Sequence, residues 1–120
     1  MFEITYNEQS NQITCAIRSI TMEEVIHYIE YYKQAVQQAK PGFIVLGDLS
    51  LSRRFPQQVA VALASLGPIS QEHGIAKWAF YAPSVTLRIQ MKQMFGSMAA
   101  SFDSLEEAQA YLTAPVKTIR

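Results

Sequence analysis

With 120 residues, 49% of them hydrophobic, the chain has the size of one ordinary domain and a composition that excludes a disordered one. A chain of this length buries roughly two thirds of its unfolded surface, so it needs neither a disulfide nor a metal to fold. Ten acidic and ten basic residues cancel, which argues against nucleic acid as a partner, because neutralising phosphates takes clustered excess cation.

The charge is nevertheless uneven. From Tyr31 to Ser101 seven Lys or Arg face only Asp48 and Glu72, and the remaining acids collect near the ends. Cys15 is alone, so no intramolecular disulfide is expected, which fits a reducing compartment. The opening residues lack a signal-peptide pattern, and no apolar run approaches the ~18 residues that suggest a membrane span. A cytoplasmic protein without a membrane span is expected.

Phe2 to Tyr6 and Ile13 to Ile17 alternate apolar and polar residues around the turn chemistry of Asn7 to Asn11, which predicts a hairpin. Thr21-Met22-Glu23-Glu24 is a capping box. The helix after it carries Met22, Val25, Ile26, Ile29, Tyr32, Val36 and Ala39 at helical spacing and stops at Lys40-Pro41-Gly42. Phe43 to Leu46 is a continuous apolar run, as in a strand covered on both faces. The next helix starts near Pro56 and meets Gly67-Pro68, which predicts either a kink or two short segments. Lys77 to Ala82 reads as a second inner strand. Ser84 opens a helix to about Phe95, Met98 to Phe102 is a short strand, and Ser104-Leu105-Glu106-Glu107 is a second capping box that opens a last helix. The order β-β-α-β-α-β-α-β-α predicts an α/β fold. It has a mixed, mostly parallel sheet of about five strands, an N-terminal antiparallel hairpin and about four helices. Residues 1–113 are expected to form a single domain and 114–120 a C-terminal tail.

Common catalytic and nucleotide-binding motifs are absent, and one Cys with two His argues against a structural zinc. No catalytic residue, metal site or cofactor is expected. His27 reads as a surface histidine within reach of Glu23. His73 precedes Gly74 at a helix end, where an imidazolium suits the dipole. Cys15 reads as a buried inert thiol.

Ligands of open α/β sheets gather beyond the carboxyl ends of parallel strands. That places Asp48, Ser50 and Ser52 at the candidate working edge, with Ser84 on the same side. Arg53 and Arg54 directly precede a helix start, where cations oppose the dipole unless an anion binds. The alternatives are that they point into water or pair with Asp48. A candidate interface takes in Val61 and Ala64 on the helix after Pro56, and Val85, Arg88, Ile89 and Lys92 on the helix after Ser84. These lie off the predicted buried stripes, which are Val59, Ala62, Leu63 and Leu66 on the first helix and Leu87, Met91, Met94 and Phe95 on the second.

Val45-Leu46-Gly47-Asp48-Leu49-Ser50, Ala76 to Tyr81 and the ending Ser101 to Leu112 resemble the STAS fold of anti-sigma-factor antagonists, and more closely their uncharacterised SpoIIAA-like relatives. The resemblance covers almost the whole chain through element order. It implies a non-enzymatic regulatory module, expected to act through the loop after the 43–50 strand and the uncharged helix beyond it. The apolar residues of the candidate interface add a protein partner or a second copy, as a homodimer, as the expected occupant. Regulatory members carry Asp-Ser-x-Gly, with a phosphorylated serine, at the start of the helix after this strand. Here Ser52-Arg53-Arg54-Phe55 stands instead, so the phosphoswitch is not carried over. Similar folds include lipid-binding lobes. The alternative reading is therefore a small hydrophobic-ligand or lipid-binding domain, using a cleft between the 56–74 and 84–95 helices.

Overall fold

The computed structural model describes residues 1–115. Five strands form one sheet in sequence order: β1 (Phe2–Asn7), β2 (Gln12–Ile17), β3 (Ile44–Asp48), β4 (Lys77–Tyr81) and β5 (Ala100–Phe102). β1 and β2 pair antiparallel, and every later neighbour pairs parallel. The helices are α1 (Met22–Gln38), α2 (Gln57–Ala64), α3 (Leu66–Glu72), α4 (Val85–Phe95) and α5 (Leu105–Thr113). The expected mixed α/β sheet with an N-terminal hairpin is present. Of the expected 114–120 tail, residues 116–120 lie outside the described residues.

Because each parallel connection steps to the next strand in one direction, the right-handed crossovers place α1 to α4 on one face. Ile13, Cys15 and Ile17 of β2, Val45 of β3, and Trp78 and Phe80 of β4 share the core with them. Leu46 and Ala79 point the other way and meet Ala108 and Leu112 of α5. β3 and β4 are thus covered on both faces, which is why both read as continuous apolar runs. In the main core the Trp78 and Phe95 rings lie 4.6 Å apart.

Local chemistry explains the boundaries. Thr21 and Glu24 form the full capping box of α1. Ser104 accepts from the Glu107 amide at 3.3 Å, but the reciprocal bond of a box is not formed there. Asn11, at φ 52, ties the hairpin turn to the end of α1 by donating to Lys40 O and accepting from its amide, both at 3.0 Å. Tyr32 of α1 and Ser70 of α3 share a buried hydroxyl bond of 2.6 Å.

Four further expectations need correction. Met22 and Ile26 are exposed (40% and 62%), whereas Tyr28 and Ala35 are buried. The stripe of α1 is rotated toward the tyrosines, whose rings reach the sheet. The 56–74 helix does divide into two short segments, but it breaks at Ser65, not at Gly67-Pro68. Pro68 then falls in the first turn of α3, where its missing N–H costs no intrahelical bond. The buried stripe of α4 includes Gln90, while Met94 is only half-buried. The 98–102 strand is shortened to Ala100–Phe102, because Gly96–Met98 forms a single 3-10 turn.

Candidate functional site

The parallel pairing of β2, β3, β4 and β5 brings their carboxyl ends to one edge. Arg18 follows β2 there, Leu49 to Pro56 follow β3, Ala82 to Ser84 follow β4, and Asp103-Ser104 follow β5. The segments are stitched together. The Leu49 amide donates to Tyr81 O at 2.8 Å, and the Ala82 amide donates to Phe102 O at 2.8 Å.

The β3–α2 loop is shaped by its own polar residues. Asp48 Oδ1 accepts from the Ser50 amide at 3.0 Å and from Ser50 Oγ at 2.7 Å, an Asx turn that reverses the chain. Ser52 Oγ donates a short bond to Ile17 O, so its hydroxyl pins this loop to the end of β2. Gln90 of α4 completes the anchoring. Its amide accepts from Phe55 N and donates to Phe55 O, both at 2.8 Å in a buried setting. Sequence reasoning missed Gln90, since a glutamine on a helix gives no sign of a backbone partner far away in the chain.

Arg53 and Arg54 do not pair with Asp48. Among the described residues the ion pairs are those of Met1 with Glu24 and Glu30 with Lys33. Both arginines instead line a cleft of about 460 Å³ with Arg18, Ser19, Ile20, Leu51, Phe55 and Pro56. Arg18 was missed in the sequence. It belongs to the β2–α1 turn and comes into range through the β2–β3 pairing and the Ser52 bond to Ile17.

A second feature lies on α4. Val85, Arg88, Ile89 and Lys92 line a groove of about 520 Å³ that continues over Gly96, Ser97, Ala99 and Ser101 to edge strand β5. Val85 is 61% and Ile89 55% exposed. Arg88 lies across the end of the β4–α4 loop, donating to Ala82 O at 2.7 Å and Pro83 O at 3.0 Å. Ser84 accepts from the Leu87 amide at 3.3 Å as the helix cap. Val61 is exposed and Ala64 half-buried on α2, but neither lines this groove.

The space between α2–α3 and α4 is filled. Leu63, Leu66, Met91 and Phe95 meet there around a void of about 20 Å³, close to the room one water needs. Trp78 lines this void, and its Nε1 is buried without a hydrogen-bond partner. Cys15 also faces it. Burial pushes its thiol up to about 12, which leaves no thiolate to act as a nucleophile. His73 Nδ1 donates to Ile69 O at 2.9 Å, at the end of α3 on the opposite edge of the sheet. His27 is exposed on α1 and makes no ion pair among the described residues.

No protein-family model matches the sequence, and neither does any curated protein. Among solved structures, the chain is similar to an uncharacterised protein of the DUF3478 family from Shewanella loihica PV-4, which has a SpoIIAA-like fold. The TM-score is 0.70, over 92% of this chain and 93% of that one. The fold is SpoIIAA-like. At 12% identity the likeness speaks for the fold alone, and it agrees with the resemblance read from the sequence. In this SpoIIAA-like frame the Arg-bearing cleft and the α4 groove open from neighbouring connections. No described helix is long and apolar enough to cross a membrane.

Proposed function

We propose that this SpoIIAA-like chain is a non-enzymatic regulatory module that works by binding another protein through its α4 face and the adjoining sheet edge. The observation that carries the reading is the α4 groove. Two exposed aliphatic residues one turn apart, Val85 and Ile89, sit beside two cations on the rim of a concave surface that ends at edge strand β5. Isolated exposed aliphatic residues are ordinary, whereas grouped ones next to an open strand edge suit a partner.

The charge selects the partner. No acid occurs from His73 to Phe102, so the groove presents Arg88 and Lys92 uncompensated by neighbours in sequence. A homodimer that paired this face with itself would set like charges against each other, which disfavours it relative to an acidic protein surface. A catalytic reading has little support, since the Ser50 and Ser52 hydroxyls are both engaged in holding the loop. A cytoplasmic setting belongs to the same reading and rests on the lone reduced thiol.

A photoreactive residue in place of Ile89 tests it in the source cell. A discrete protein adduct is expected from position 89 and none from the same residue at Gln37, on the exposed side of α1. Equal adducts from both positions, or none from either, would overturn the reading.

A further inference from the structure

We propose that the cleft between the β2–α1 turn and the β3–α2 loop is a binding site for an amphipathic organic anion, a phosphate monoester carried on an apolar body. The site is separate from the α4 groove and does not depend on the protein-binding role.

Arg18, Arg53 and Arg54 all line one concavity, and among the described residues no Asp or Glu lines it with them. None of the three takes part in an ion pair among the described residues. Bringing three like charges into a cleft is unfavourable unless something offsets their repulsion. The loop is nevertheless held in place, by Ser52 Oγ donating to Ile17 O and by both amide atoms of Gln90 on the buried backbone of Phe55. Ser52 fixes the loop carrying Arg53 and Arg54 against the strand end that carries Arg18, and Gln90 fixes the end of that loop to α4.

The ligand class follows from charge and shape. Guanidinium forks match the oxygens of a phosphate in pairs, and three cations suit a dianion better than a singly charged carboxylate. Apart from Ser19 the remaining wall is apolar. Leu51 stands 61% exposed at the rim, with Ile20 and Phe55 behind it. A bare phosphate would leave that wall uncovered. The cleft, about 460 Å³, falls within the roughly 300–1,000 Å³ of small-molecule sites, in contrast to the water-sized void in the core. Its location beyond the carboxyl ends of two parallel strands is where open α/β sheets bind ligands.

Calorimetric titration with hexyl phosphate, inorganic phosphate and hexanoate tests the proposal. Vesicles of phosphatidylcholine with and without phosphatidic acid form a second arm. Hexyl phosphate is expected to bind one to one, with inorganic phosphate and hexanoate each weaker by about tenfold or more. Arg18→Ala, and Arg53→Ala with Arg54→Ala, should each weaken hexyl phosphate about tenfold or more, as loss of a charge-assisted bond does. Leu51→Ser should weaken hexyl phosphate and leave inorganic phosphate unchanged. Arginine-dependent binding of the soluble ester assigns a free metabolite. The same dependence seen only with phosphatidic acid vesicles assigns a lipid headgroup, and either result supports the site. No saturable binding in either arm, or binding that survives all three arginine substitutions, would overturn it. The substituted side chains are exposed, so circular dichroism should report an unchanged fold.

Discussion

Gly47 shows how one missing carbon organises the core. A Cβ at this position would stand 2.6 Å from Phe80 Cε1 and closer still to Cδ1. Phe80 cannot retreat easily, because it packs on Trp78 at 5.6 Å and Phe95 at 5.5 Å. Gly47→Ala should therefore destabilise the protein by about 1–3 kcal/mol, the range for overpacking a filled core, measurable by urea unfolding. A second residue-scale prediction concerns Gln90. Gln90→Leu leaves the buried amide and carbonyl of Phe55 without partners, at a cost of about 1–3 kcal/mol for each group left unpaired. It should also raise the hydrogen-exchange rate of the Phe55 amide, which a purely packing role would leave protected. Gly47 is unremarkable in the sequence, where it passes as any glycine within an apolar run. Its necessity comes from β4, which places Phe80 directly opposite it.

At the scale of elements, local chemistry was the most legible part. The hairpin, the capping box at Thr21, the caps at Ser84 and Ser104 and the stop at Gly96 all depend on residues close in sequence. Features that depend on distant partners were not legible. Met22 and Ile26 fit the helical period of α1 yet are exposed, whereas Tyr32, on the predicted stripe, is buried together with Tyr28. Pro68 looked like a helix breaker and lies in a first turn instead. The cleft was half visible: Arg53 and Arg54 stood out because they precede a helix, while Arg18 belongs to another connection. Only parallel pairing of β2 with β3 brings it to them. Val85 and Ile89 were expected off the buried stripe of α4 and are exposed, but the groove that runs from them to β5 needed the sheet.

For the whole molecule, one ionisation behaviour follows from the core. Burial raises Cys15 from 9.0 to about 12, and it raises Tyr28 and Tyr32 well above their usual 10.0. All three are neutral when protonated, so the folded state holds these protons after the unfolded chain has begun to lose them. Their contribution to stability is full below pH 9.0, declines as the unfolded thiol and then the phenols ionise, and is gone once pH passes the folded values. Unfolding free energy measured across that window should fall with rising pH, and Cys15→Ala should flatten the onset of the fall.

The central claim is that the SpoIIAA-like chain acts by holding a protein partner on its α4 face. Native mass spectrometry of the protein purified from its source cells tests this most directly, alongside a variant carrying Val85→Asp and Ile89→Asp. Both positions are exposed, so the variant should fold as the parent does. The account predicts a partner at fixed stoichiometry on the parent and its loss from the variant. A parent that flies only as a free monomer, or a complex that persists unchanged in the variant, would contradict it.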